Sequence, residues 1–487
     1  MNEQANIKEK AISGFLWSMA ENGGNYFLNF LIGLVLIRLI EPYNYGLIGM
    51  MTFFIAISTL LVDFGLSVAI VQKKDPTDED YSTAFWVNII ISIACYAIIF
   101  LLSGLVADFY SEPILEIALK IFSLNFVFAA FGVVHMTKIT RTLNYKLWAR
   151  IHLTSVFIAG VTAIVIAWNG YGFWALVAIQ LIINFLNTLQ LWILGNYNHG
   201  FKFSFQSLKS LTRFSNNILY INLINEIYKE LYKILIGKFF KTEQLAYYLR
   251  AKETSEIFAM QFTNTISKVM FPVLSNFQDD IPNLKAVYKK ILIMTGFINF
   301  SVLSFLSANG EALFVLLYTE KWLMAVPYFQ VLCIEVMLLP IHVISGHYLL
   351  AMGKSKTFLQ IELSKRIIQT IIILLTFSSI EFLIIGQVIT AIIYTGIAMK
   401  IIQSQIGINW YHQIKILAPY ILLAAGIYVI NLLFVKIFFD FGYLINIFSN
   451  LLISLFVYIS ISQIFKFEAF LYTKNVLIEK LSKRIKK

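Results

Sequence analysis

The chain has 487 residues, of which 59% are hydrophobic and 13% charged, with a formal charge of +11 and a mean hydropathy of +0.76. A soluble domain averages roughly half apolar and a quarter charged residues, and no polar stretch here runs much beyond about 20 residues. The composition therefore excludes a soluble catalytic domain, a nucleotide-binding domain and a large extracytoplasmic domain, and it defines a polytopic membrane protein.

A helix that crosses a bilayer needs roughly 20 mostly apolar residues. In chain order the sequence predicts fourteen such spans: 14–37, 46–71, 84–106, 114–135, 151–168, 172–194, 216–237, 251–274, 291–308, 325–350, 358–378, 382–402, 414–435 and 442–465. Apolar residues surround most of them on every face, the pattern of bilayer helices and not of surface ones. The first apolar run is interrupted by Glu21, Asn22, Gly23 and Gly24 and lacks the small-residue cleavage site of a secretory leader. The expected organisation is all-α: an N-lobe over 1–195 (spans 1–6), a cytoplasmic linker over 196–215 and a C-lobe over 216–403 (spans 7–12). Spans 13 and 14 follow over 404–466, and a basic amphipathic tail over 467–487 lies on the anionic inner leaflet.

Charge placement orients the spans. With the N-terminus cytoplasmic, 25 of the 38 Lys and Arg fall on the cytoplasmic side, from Lys8 through Lys73, Arg141 and Lys290 to the tail. Six fall outside: Arg38, Lys238, Lys241, Arg250, Lys321 and Lys436. Cytoplasmic loops carry the basic excess, so both termini are expected to be cytoplasmic. The outer loops are too short to hold an acceptor and a catalytic residue, which speaks against an enzyme. Cys95 and Cys333 lie in apolar runs without metal-ligand spacing, and the tail has no nucleic-acid motif. No metal, cofactor or nucleic acid is expected, and without a GxxxxGK[ST] motif the chain does not hydrolyse ATP.

Ionisable residues inside spans are costly, face a cavity or one another, and mark pathways. Span 7 carries Asn222, Asn225, Glu226, Lys229, Glu230 and Lys233, with Asn222, Glu226, Lys229 and Lys233 on one stripe. Glu226 can reach Lys229 or Glu230, and Glu230 can reach Lys233. Either the charges pack this helix against another or they line a water-filled cavity, and the density of the set favours the cavity. Span 1 has a milder stripe of Ser18, Glu21, Asn22, Asn25 and Asn29. Aligning Leu31-Ile-Gly33 with Leu235-Ile-Gly237 superposes the two stripes, as in an internal repeat whose halves hold a substrate between them. Asp63 is the lone carboxylate of span 2, either an ion site or a structural partner. Lys268 in span 8 and Glu335 in span 10 have the same two readings. For Glu362, Lys365 and Arg366 snorkelling is the simpler reading, and for His342 and His347 packing is.

Three N-terminal segments resemble Wzx-type polysaccharide flippases: Ile37-Arg-Leu-Ile-Glu-Pro-Tyr-Asn-Tyr-Gly-Leu-Ile-Gly49, Val62-Asp-Phe-Gly-Leu-Ser-Val-Ala-Ile-Val-Gln-Lys-Lys74 and Thr77-Asp-Glu-Asp-Tyr-Ser-Thr-Ala-Phe-Trp86. Tyr248-Leu-Arg-Ala251, Val269-Met-Phe-Pro-Val-Leu-Ser275 and Trp322-Leu-Met-Ala-Val-Pro-Tyr-Phe-Gln330 are similar to that family more loosely. The family belongs to the multidrug/oligosaccharidyl-lipid/polysaccharide exporter superfamily, and the likeness is greatest to its colanic-acid and teichuronic-acid branch. The resemblance implies two six-helix lobes around a central cavity with two appended helices. It also implies movement of an undecaprenyl-diphosphate-linked oligosaccharide from the inner to the outer leaflet of a bacterial plasma membrane. The positions matching the family's diphosphate-binding cations are Lys229 and Lys233, with Lys268 on span 8. Asn22, Asn25, Asn222, Glu226 and Glu230 would line the cavity and balance its charge, and Glu21 and Asp63 would couple transport to H+ or Na+. Membrane lipids, a polysaccharide polymerase and export proteins are the implied partners. An ion-coupled multidrug exporter and a lipid II flippase of the same superfamily are the alternatives.

Overall fold

A computed structural model describes residues 2–63, 65–195, 200, 202–276, 280–437 and 442–475, which are helical and contain no strand. The first part of the chain forms α1 (Asn2–Leu39), α2 (Pro42–Asp63), α3 (Leu66–Gln72), α4 (Asp78–Tyr110), α5 (Ile114–Phe122) and α6 (Leu124–Thr142). It continues with α7 (Tyr145–Trp168), α8 (Gly172–Leu194), α9 (Phe205–Phe239) and α10 (Thr242–Asn276). Then come α11 (Ile281–Met294), α12 (Ser301–Ala308), α13 (Gly310–Tyr318), α14 (Val326–Ala351), α15 (Ser355–Thr376), α16 (Ile380–Ile406), α17 (Trp410–Ile437) and α18 (Tyr443–Ile464).

Among the described residues, ten helical segments are long and apolar enough to cross a membrane, so the chain is a multi-pass membrane protein. Four more helices, α1, α9, α10 and α15, coincide with expected spans 1, 7, 8 and 11 and have ample length. They are absent from the ten because of composition. These four carry Glu21, the Glu/Lys stripe, Lys268 and the Glu362–Arg366 cluster, so their polarity is the signal already read from the sequence.

The chain divides into two compact units, Met1–Ala246 and Tyr247–Lys487. Within the first, α9 packs on α2, α3 and α4, and α7 packs on α1 and α8. The α1–α7 seam is built from small residues. Ala159, Ala163 and Ala167 are buried beside Ile32, Leu36 and Ile40, and a Cβ on Gly160 would lie 2.1 Å from Ile32 Cδ1. Lipid offers no hydrophobic drive between helices, so close backbone approach supplies the contact.

In the second unit, the core joins α11, α14, α16 and α17 around Leu292, Ile344, Ile402 and Leu423. A chain of buried amides fastens α17 and α18 to the α12–α13 junction. Asn450 donates to Asn309 (2.8 Å) and Asn446 (2.7 Å), Asn309 to Asn431 (3.1 Å), and Asn431 to Ser454 (2.7 Å). The expected tail helix is described only over 468–475, where Glu468 pairs with Lys289 at 3.3 Å and Lys290 lies over Tyr472. Residues 476–487 of that expected helix lie outside the described residues.

Candidate functional site

The stripe on α9 resolves into two Glu–Lys pairs of identical spacing. Lys229 Nζ lies 2.9 Å from Glu226 Oε1, and Lys233 Nζ lies 2.7 Å from Glu230 Oε1. The pairs differ in their surroundings. Glu230 is 2% exposed and its second oxygen accepts from the Thr52 hydroxyl of α2 at 2.8 Å, so this pair is part of the α2–α9 packing. Glu226 and Lys229 are 20% and 66% exposed, which makes Lys229 the accessible cation of the stripe. Asn222 sits in α9, but its side chain lies outside the described residues.

On α1, Asn22 donates to the Ser18 carbonyl (2.7 Å), and Asn29 donates to the Asn25 carbonyl (2.9 Å) and side chain (2.6 Å). These amides satisfy one another along the helix and leave a polar strip on an otherwise apolar exposed surface. Glu21 points the other way, into the seam with α7, where its Oε1 lies 3.8 Å from His152 Nε2. Asp63 is the last residue of α2. Gly65, at φ 68°, a left-handed conformation that favours glycine, opens α3. The Asp63 carboxylate lies outside the described side chains.

In the second unit, Lys268 on α10 is exposed and has no ion pair among the described residues. A larger polar network lies elsewhere. Lys252 of α10 pairs with Glu335 of α14 (2.6 Å) and Glu256 (3.4 Å). Tyr394 of α16 donates to Glu362 of α15 (2.5 Å), Lys365 lies over the Tyr394 ring, and His342 bonds Thr395. Glu362 and Lys365 are thus engaged with a neighbouring helix. Sequence reasoning missed Lys252, although Lys252, Glu253 and Glu256 at the head of span 8 were the available signal. It also missed His152 and Asn187, the latter marked by the Asn184, Asn187, Gln190 spacing in an otherwise apolar span. An apolar cavity of about 910 Å³ between α12, α14, α16 and α17 has no charged lining residue and offers nothing to an anion.

The N-terminal motifs form structural joints. Thr77 caps α4 through a capping box with Asp80, which is buried and pairs with Lys73 at 2.7 Å. Arg141 of α6 donates to the carbonyls of Ile70, Lys73 and Lys74 and so closes the end of α3. At the opposite ends of these helices, Glu112 accepts from Tyr43 (2.5 Å) and Thr242 (2.7 Å), and a Cβ on Gly46 would meet the Thr242 carbonyl at 2.0 Å.

An all-helical multi-pass protein whose long polar helices carry ionisable stripes has the construction of a membrane transporter. Residues 35–327 match the family described as "Polysaccharide biosynthesis protein", and the chain belongs to that family. It is 28% identical over 335 residues to the lipopolysaccharide biosynthesis protein WzxC of Escherichia coli (strain K12), covering 67% of each chain. To the teichuronic acid biosynthesis protein TuaB of Bacillus subtilis (strain 168) it is 24% identical, covering 61% of this chain and 62% of that one. Among solved structures, the lipid II flippase MurJ in its inward closed conformation shares the fold at a TM-score of 0.70 and 15% identity, over 92% of this chain and 98% of that one.

Proposed function

We propose that the protein flips undecaprenyl-diphosphate-linked oligosaccharide repeat units from the inner to the outer leaflet of a bacterial inner membrane by alternating access, for surface polysaccharide assembly. The observation that carries the reading is Lys229: an accessible cation on a helix too polar for lipid, in a chain whose relatives are polysaccharide biosynthesis proteins. A diphosphate brings about two negative charges, and a lysine is a serviceable point-charge partner for it. The isoprenoid stays in the bilayer while the polar head crosses. Lys229 makes the first contact, Lys233 adds its charge from within its pair with Glu230, and Lys268 serves from α10. Asn22, Asn25 and Asn222 offer sugar-binding amides, and Glu226 and Glu230 balance the lysines in the empty state. Glu21 and Asp63 couple the cycle to a cation. This reading takes fourteen spans, both termini cytoplasmic, six-helix lobes over 1–195 and 216–403, and no enzymatic step. An accessible lysine disfavours the cationic cargo of a multidrug exporter.

The test is translocation of a fluorescent undecaprenyl-diphosphate-linked oligosaccharide in proteoliposomes. Translocation by the unmodified protein, lowered in Lys229→Ala at equal protein level, is expected. Absence of translocation by the unmodified protein overturns the flippase reading, and a wild-type rate in Lys229→Ala overturns the assignment of the cation.

A further inference from the structure

Glu21 is 8% exposed, and among the described residues its ionic partner is His152 of α7. The imidazole stacks on Trp148 with ring centroids 5.0 Å apart, and its Nδ1 lies 3.3 Å from Asn187 Nδ2 of α8. The other amide atom, Asn187 Oδ1, is buried and unpartnered on a residue that is 8% exposed. Among the described side chains of the packed helices, Tyr26 and Arg38 of α1 are exposed and Tyr145 of α7 lies beside Gly14 of α1. The α8 helix has no charged or titratable group, Lys146 of α7 lies over Trp17 of α1, and Arg141 of α6 is held by carbonyls. His135 of α6 lies against Trp192, Lys138 of α6 has its own contacts, and Lys10 of α1 and Arg150 of α7 are exposed.

A buried carboxylate with no fixed cation beside it is expensive in a low-dielectric seam. We propose that Glu21, His152 and Asn187 form a proton-binding site that fastens α1 to α7 and α8 when occupied and loosens it when empty. This deepens the flippase reading, on which it rests for what the proton drives. With the site empty, His152 is neutral: Nδ1 accepts from Asn187 Nδ2, and Nε2–H faces the Glu21 carboxylate. A proton arriving on His152 converts Nδ1 into a donor, which then needs an acceptor. Rotating the Asn187 amide about its terminal bond presents Oδ1, the atom that now lacks a partner. The imidazolium pairs with Glu21, and the net charge of the site passes from −1 to 0. Imidazole nitrogen is a poor ligand for Na+, a hard cation that takes oxygen, so the chemistry selects a proton. Asn22 and Asn25 follow Glu21 on α1, so a loosened α1 moves the polar strip with it.

The full-length protein in lipid nanodiscs, labelled with 15N-histidine, gives a readout that needs no substrate. His152 is one of six histidines and is identified by loss of its signal in His152→Gln. Acidification from pH 8 to pH 5 should convert it from the Nε2–H tautomer to the doubly protonated ring. The signal of the doubly protonated ring should weaken in Glu21→Gln, weaken in Asn187→Leu and strengthen in Asn187→Asp. Opposite signs at one position separate the mechanism from simple misfolding. A ring that stays neutral to pH 5, or a protonated fraction unmoved by Glu21→Gln, overturns the site. In proteoliposomes an imposed pH gradient should accelerate flipping in the unmodified protein and not in His152→Gln, and equal acceleration in both overturns the coupling. Absence of flipping would sink the flippase reading alone, because the nitrogen signals stand without it.

Discussion

One helix, α9, carries the same ion pair twice in succession, and the two copies have opposite environments. Glu230–Lys233 is enclosed and tied to Thr52, whereas Glu226–Lys229 faces open space. Spacing, residue types and bond lengths are nearly the same, so the covalent sequence does not separate them. What separates them is α2, which packs over one pair and leaves the other open. An enclosed pair is a packing element that cannot lose one member cheaply, whereas an open pair contributes little to stability and leaves its cation available.

The largest effect should come from breaking the enclosed pair. Lys233→Met leaves Glu230 buried without its cation and should cost about 3–5 kcal/mol, seen as a sharp fall in the melting temperature of the purified protein. Adding Glu230→Met should restore most of that loss, because an apolar pair of similar volume needs no solvation. A single variant as stable as the unmodified protein would show that Glu230 is solvated or already neutral. Lys229→Ala should act oppositely. Stability should change by less than about 0.5 kcal/mol, while flipping should fall about tenfold, the equivalent of one charge-assisted contact near 1.5 kcal/mol. If both variants lost stability alike, the contrast between the pairs would collapse.

Much of the architecture was legible because bilayer thickness imposes a length on every span, and ten of the expected segments coincide with helices long and apolar enough to cross a membrane. The polar helices were legible for the same reason, since Glu226, Lys229, Glu230 and Lys233 are conspicuous where apolar residues are required. Partners were not legible. Glu21 meets His152, which stands near the start of span 5 and reads as loop-flanking polarity. Asn187 belongs to a polar row with Asn184 and Gln190 that does not say which helix it faces, and Thr52 is an ordinary hydroxyl until α9 lies against it. These pairings join positions far apart in the chain and depend on helix rotation, which hydropathy does not encode. The left-handed conformation at Gly65 was likewise hidden, because the 46–71 run is apolar on both sides of it.

Thr52 offers a gentler probe of the enclosed pair. Thr52→Val removes the hydroxyl that Glu230 accepts while keeping the side-chain shape, and it should cost about 0.6–1 kcal/mol. The loss should vanish when measured in a Lys233→Met/Glu230→Met background, since the acceptor is then gone. A cost that persists in that background would assign Thr52 to packing with α2 itself, whose Gly49 carbonyl its hydroxyl also contacts at 2.7 Å.

The smallest effect, and the one that tests the open pair most directly, is expected from Glu226→Gln. Removing that carboxylate leaves Lys229 without its resting partner, so a diphosphate no longer competes for it. An exposed pair is worth up to about 1 kcal/mol, so apparent affinity for the lipid-linked glycan should rise by about twofold to fivefold. The same freed cation holds the cargo as firmly after crossing as before. The gain is therefore uniform binding, which lowers KM without raising kcat. If Glu226 also recaptures Lys229 as the cargo leaves, release should slow and kcat should fall alongside KM. Measuring the two constants separately in proteoliposomes distinguishes these cases, and a raised KM in Glu226→Gln would show that the carboxylate holds the lysine in position for the diphosphate.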